Sequence, residues 1–243
     1  MNSILKMAGL GLALLTAACN QDAATNNADA AANKLAPAQG KDWTKVVVAT
    51  TEGGVRMGNP DAPVKLIEFA SFTCPHCREF NEAAADVLKS KYVASGKVSL
   101  EFRSFILNGI DVPISLLAYC QPPAAFFATQ KALFDTQEEW LGHIQRGGAE
   151  LERLQSLPQD RQLAGIIDLT QLDDFFKMRG MPASKQQQCL ADKEALDRLA
   201  NIRGDAVKRY NLTGTPTFVI NGVTQENVFD WKGLQPKLDA ALN

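Results

Sequence analysis

The chain has 243 residues, 46% of them apolar and 21% charged, and a formal net charge of −2. That length can bury a sizeable core, either in one domain with an insertion or in two small domains. The balance of 25 basic against 27 acidic side chains gives no broad positive field, which argues against nucleic acid as a partner.

Residues 1–18 read as an export leader. One positive charge in MNSILK precedes an apolar run of about 12 residues, MAGLGLALLTAA, too short to span a membrane. Small residues then lead to Cys19, and in this the segment resembles a bacterial lipoprotein signal, in which that cysteine becomes the lipidated first residue. Thr16, third before Cys19, is less typical there than Leu; an ordinary cleaved leader with Cys19 incidental is the alternative. Residues 19–42 hold almost no large apolar side chains, so they cannot offset the entropy of ordering and are expected to form a flexible tether. Such an exported chain would live where disulfides persist. The other four cysteines, Cys74, Cys77, Cys120 and Cys189, are therefore read first as redox or disulfide residues, with three pairings open.

VVVAT (46–50) is a short β-branched run and a predicted strand, whereas GGVRMGNPDAP (53–63) reads as a turn-rich connection. VKLIEFA (64–70) is nearly continuous in apolar residues and is expected to be a central strand. A helix is predicted from about Cys74 to Tyr92, with Phe80, Ala84, Val87 and Leu88 on one face. VSLEFRSF (98–105) alternates as a third strand, giving a β–α–β order. From Val112 to Tyr210 the spacing is helical throughout: Ala124–Leu141, Ala164–Met178, Ser184–Ala191 and a last helix from Leu196 to Tyr210. NLTGTPTFVINGV returns to strand with Asn221-Gly222 as a hairpin signal, and Trp231–Leu242 closes as an amphipathic helix. The pattern predicts an α/β domain from 43–109 and 211–243, interrupted by a helical insertion at 110–210.

The chemistry-bearing stretch is CPHC, Cys74 to Cys77, between a buried-type strand and a helix. Cys74 is placed at the helix N-terminus, where free backbone N–H groups and the helix dipole favour a thiolate. Pro75 suits the first helical turn because its missing N–H is not needed there. His76 adds stabilisation if it is protonated or donates a hydrogen bond. A stabilised thiolate leaves readily and favours the dithiol, so the pair is expected to give its disulfide away. Cys74 is then the nucleophile and Cys77 the resolving thiol. Two alternatives are a zinc half-site, for which Cys120, Cys189 and His143 lack paired spacing, and a structural clip, whose tiny loop would constrain the unfolded chain little.

EFASFTCPHCREF, the helical interruption and GTPTFVING together resemble the DsbA family of thioredoxin-fold thiol–disulfide oxidoreductases, over about residues 43–243. The resemblance implies a thioredoxin fold with an inserted helical domain and no cofactor or metal beyond the redox-active Cys74–Cys77 disulfide. It places Pro216 as a cis-proline facing the cysteines, with the Thr215 backbone free to pair with a client segment as an added strand. It makes Glu68 a buried acid that tunes the thiols and relays protons; a partly exposed strand-edge residue is the alternative. The family's oxidants often carry another acid seven residues after the nucleophile, where this chain has Asn81. Some bacterial members have a second disulfide, which here would join Cys120 to Cys189. Closing a loop of about 70 residues would contribute roughly 4 kcal/mol in the chain-entropy model. A redox-active role for that pair is the alternative.

The function expected from these residues is an oxidase in the bacterial periplasm, lipid-anchored to a membrane through Cys19. It would act on exported client proteins with free thiols, with a membrane redox partner for recycling. Three rivals remain open: a disulfide isomerase or reductase of the same fold, a non-enzymatic anchored adaptor, and a metallochaperone using CPHC.

Overall fold

The computed structural model describes residues 40–243, so the leader, Cys19 and the tether up to residue 39 lie outside the described residues. Six strands make one sheet: β1 (Val47–Ala49), β2 (Val55–Met57), β3 (Val64–Ala70), β4 (Val98–Ser104), β5 (Thr217–Ile220) and β6 (Val223–Thr224). Their order is β1-β2-β4-β3-β5-β6. Among the described strands only β3 and β4 pair in parallel, and helix α1 (Pro75–Val87), prolonged by a π-helical stretch at Leu88–Val93, is the crossover between them. Between β4 and β5 run α2 (Asp111–Tyr119), α3 (Pro123–Asp135), α4 (Gln137–Arg146), α5 (Gly148–Gln155) and α6 (Gln159–Leu169). These are followed by α7 (Leu172–Met178), α8 (Ala183–Leu190) and α9 (Lys193–Tyr210), and α10 (Trp231–Ala241) ends the chain.

The apolar run of β3 is explained by its place between β4 and β5. Its alternate side chains enter two cores. Leu66 joins Phe80 and Leu88 beneath α1, Phe218 of β5, and Leu234 and Leu238 of α10. Phe69 joins the larger core, which receives Leu199, Ile202 and Ala206 of α9 and the aromatic group Phe72, Phe102, Phe126 and Phe134. The alternation in β4 is real, but its polar face is not solvated. Every β4 residue is buried, and Glu101 is satisfied by Arg103 Nε at 2.7 Å and the Thr50 hydroxyl at 2.8 Å.

Three expectations differ from the structure. The stretch expected to be only a connection contains β2, whose Val55 and Met57 are buried between β1 and β4. Three residues are too few to display a period, and the flanking glycines hide the strand. Gly54 is needed for close approach, since a Cβ there would lie 2.5 Å from Glu101 Oε1 and 2.8 Å from the Phe102 carbonyl. The helix expected over 124–141 breaks at Thr136, and the one expected over 164–178 breaks at Thr170-Gln171. The cause is the same in both: Thr136 Oγ1 donates back to the Ala132 carbonyl, and Thr170 Oγ1 to those of Ile166 and Ile167. Gln171 then takes φ 58°, which no helix continues through.

The hairpin signal is realised by Asn221 (φ 50°) and Gly222 (φ 84°), the left-handed pair that a two-residue turn requires. Asn221 Oδ1 also accepts from Lys65 N at 2.8 Å, pinning the turn to β3. Cys120, capping α2, and Cys189, in α8, are joined by a disulfide with a Cα–Cα distance of 6.1 Å.

Candidate active site

β3 ends at Ala70, and a four-residue turn carries the chain into α1. Cys74 is the N-cap, with extended backbone (φ −85°, ψ 120°), and Pro75 is the first helical residue. Cys74 stands at the helix N-terminus, where unpaired backbone N–H groups favour a thiolate, and its side chain makes no capping hydrogen bond. Cys74 is 6% exposed and Cys77, one turn further on, is fully buried. The second half of the site arrives from the loop before β5. The Thr215–Pro216 bond is cis, and as a thiol Cys74 donates to the Thr215 carbonyl oxygen at 3.4 Å.

The two thiols differ sharply. Hydrogen bonding from Cys77, above all, lowers the Cys74 pKa to about 5 against the opposing effect of burial, with help from Thr215 and from the backbone of Cys77 and His76. The Thr215 hydroxyl meets no strict hydrogen-bond geometry, but its proximity still favours the thiolate. Burial pushes the Cys77 thiol well above its ordinary value, and its hydrogen bond to Cys74, the Cys74 charge and, more weakly, Glu68 add to this.

Glu68 is 3% exposed, and burial alone pushes its pKa to about 8. Its Oε1 has no hydrogen-bond partner. It lines a cavity of about 280 Å³ with Phe80, Asn81, Leu100, Phe127 and Gln130. Asn81, standing where an acid was expected, is itself buried; its Nδ2 lacks a partner, while its Oδ1 accepts from Gln130 Nε2 at 3.4 Å.

The His76 ring is turned to solvent and to Glu79, with Nδ1 3.1 Å from Glu79 Oε2, while the His76 backbone is among the groups that favour the thiolate. Arg78 is half-buried and ties α1 to α4 through Glu138 at 3.0 Å. His143 lies on the surface beside Arg146. Among the described residues, no group of three or more His, Cys, Asp or Glu side chains could hold a metal ion.

Two site residues carried no sequence signal. Asp111, the first residue of α2, and Gln137, the first of α4, both reach the turn before Cys74. Asp111 is preceded by a Gly-containing loop and resembles any helix-start acid. Gln137 fell inside a stretch read as continuous helix. Only the break at Thr136 aims it inward.

A family model described as thioredoxin matches residues 50–240. A solved structure titled protein-disulfide isomerase, from Novosphingobium aromaticivorans, is 33% identical, covers 77% of this chain and 96% of its own, and superposes with a TM-score of 0.74. The alpha-DsbA1 structure of Wolbachia pipientis shares the fold at 22% identity, with a TM-score of 0.63 and coverage of 83% and 96%. Provisionally named protein-disulfide oxidoreductases of Rickettsia bellii and Rickettsia prowazekii are 25% and 27% identical over 82% of this chain. The chain spans 68% and 65% of their lengths. With the CPHC pair at a helix start opposite a cis-proline, these matches lead to one conclusion: the chain belongs to the DsbA-like, thioredoxin-fold protein-disulfide oxidoreductases.

Proposed function

We propose that the protein is an exported oxidase that donates the Cys74–Cys77 disulfide to client proteins. The observation carrying this reading is the inequality of the two thiols, a Cys74 pKa of about 5 beside a Cys77 raised by burial. A client thiolate attacks the Cys74 sulfur, a client–Cys74 disulfide forms, and Cys77 leaves. Cys77 takes up a proton, since its anion is disfavoured in the core. Glu68, protonated below about pH 8, is the buried acid placed to supply it. A second client thiolate then attacks the client sulfur and expels Cys74 as a stable thiolate. Two electrons pass from client to enzyme, and an external acceptor must remove them. Thr215 and Pro216 offer the client an edge beside the reacting sulfur. The leader and Cys19 supply the periplasmic address and the lipid anchor in this reading, and a membrane redox partner is the acceptor.

Equilibration with glutathione buffers tests the direction. An oxidase should have a potential near the about −120 mV of a strong disulfide donor, not the about −270 mV of thioredoxin. It should also oxidise a reduced, unfolded client without added oxidant. A value close to −270 mV would overturn the assignment. The isomerase title of the 33% identical Novosphingobium structure favours the second reading. That reading gains if the protein re-pairs a client with scrambled disulfides while leaving a fully reduced client unoxidised.

A further inference from the structure

The turn that delivers Cys74 is held from outside by side chains of the helical insertion. Asp111 is fully buried, and its carboxylate takes the donors of the turn: Ser71 Oγ donates to Oδ2 at 2.5 Å and Thr73 N to Oδ1 at 3.1 Å, while Leu107 N also donates to Oδ2 at 2.9 Å. Gln137 is 1% exposed and takes the acceptors, its Nε2 donating to the Phe72 carbonyl at 2.7 Å and the Cys74 carbonyl at 2.9 Å. Asn108 Nδ2 adds a bond to Thr73 Oγ1 at 2.9 Å. Two donors of the turn thus meet the Asp111 carboxylate and two of its carbonyls meet the Gln137 amide.

Ser71 connects this clasp to both cysteines. Its carbonyl accepts from Cys74 N at 3.1 Å, and its backbone is among the groups that favour the Cys77 anion, against the larger effect of burial. Stabilisation of the Cys74 thiolate comes first from the Cys77 side chain, with smaller help from Thr215 and from the backbone of Cys77 and His76, and where the turn ends sets the sulfur's place among them. Small displacements matter, because hydrogen bonds to a charged acceptor weaken steeply as their angle opens.

We infer that Asp111 and Gln137 are positioning residues of the thiol–disulfide site, fixing the Ser71–Cys74 turn so that the Cys74 sulfur keeps its place at the start of the helix, against the Thr215 carbonyl. The inference rests on Cys74 being the stabilised nucleophile of the proposed function. It gives the insertion a part in the chemistry besides covering the core.

A merely structural contact and a positioning contact are separable by thermodynamics. A contact that only supports the fold stabilises the dithiol and disulfide forms equally and leaves their equilibrium unmoved. A contact that aims donors at the sulfur acts chiefly when the sulfur is charged. Asp111→Asn sets an N–H₂ against the N–H of Thr73 or of Leu107, whichever way the amide turns. Gln137→Met keeps length and volume but leaves the Phe72 and Cys74 carbonyls without their donor. Neither substitution removes Glu68 or Cys77; Asp111→Asn does remove a buried carboxyl, and losing that charge alone would lower the Cys74 pKa, so a rise carries the positioning effect.

The test titrates the Cys74 thiolate by its absorbance near 240 nm and equilibrates each full-length variant with glutathione. Each variant should raise the Cys74 pKa by about one unit, a roughly tenfold loss of thiolate preference. The variants should also be more reducing by about 30 mV, the same tenfold converted for a two-electron couple. Folded variants that keep the wild-type pKa and glutathione equilibrium, whatever their melting temperatures, would overturn the inference. If Asp111→Asn does not fold, Gln137→Met, on a different helix, decides. If the unmodified protein itself shows Cys74 titrating near 9, the nucleophile reading fails first and takes this inference with it.

Discussion

Reduced protein should gain stability relative to oxidised protein as pH rises from 5 towards 9. Cys74 titrates at about 5 in the folded dithiol and at 9.0 as an ordinary thiol. Its folded pKa is depressed, so the unfolded chain binds more protons between these values and folding is favoured increasingly as pH rises. The contribution is complete above about 9, shrinks as pH falls and is gone below about 5. The disulfide form has no thiol to titrate and lacks it. At pH 7, two pH units above the folded pKa, the linkage amounts to about 3 kcal/mol, and solvent reaching the sulfur trims it to on the order of 2 kcal/mol. For a domain of this size that corresponds to about 4–8 °C in melting temperature. Paired melts at pH 5, 6, 7 and 8 check it through the difference between reduced and oxidised curves. Curves that stay parallel would remove the physical basis of the oxidase reading.

Glu68→Gln is expected to stabilise the protein at neutral pH and to do nothing near pH 4. The carboxyl has its ordinary value of 4.5 in the unfolded chain and about 8 in the fold, because burial disfavours the anion. Here the shift is upward, so the folded state binds the extra proton, and stability declines with rising pH between 4.5 and 8. By pH 7 the accumulated penalty is about 3 kcal/mol, which glutamine, an analogue of the neutral acid, does not incur. Denaturant unfolding of both proteins at pH 4, 6 and 7.5 measures it. Glu68 is present in both redox forms, so its burial penalty enters both curves of the paired-melt comparison. Equal stabilities at pH 7.5 would mean that Glu68 is ionised in the fold and cannot supply the Cys77 proton. A buried acid whose charge is felt at Cys77 is what a proton-handling role would require.

Much of the site was legible because its signals are local. CPHC after VKLIEFA fixes a thiol pair at a strand-to-helix junction, and Glu68 stands out as a charge inside an apolar run. Asn221-Gly222 announces its turn through two left-handed residues. What escaped depends on contacts distant in sequence. The inward aim of Gln137 requires the break at Thr136, and that break depends on whether a threonine hydroxyl bonds back to its own helix. Asp111 gains its role only when Ser71, forty residues earlier, lies against it. The motif does not show that Glu79, one helical turn on, is the partner of the His76 ring. β2 escaped for a different reason: three residues cannot show a period of two.

The Cys120–Cys189 bond has a consequence for how the molecule survives damage. It ties α2 to α8 across 69 positions of sequence, and the intervening α5 buries only Leu154. A peptidase cutting within Gly148–Gln155 would therefore produce two polypeptides that remain one particle, with the severed ends on the surface and both cores intact. On a denaturing gel the nicked protein should migrate as a single species without reductant and as two fragments with it. The same reductant opens the Cys74–Cys77 pair, so a cell that lost its oxidising conditions would disarm the catalyst and dismantle its clipped copies together.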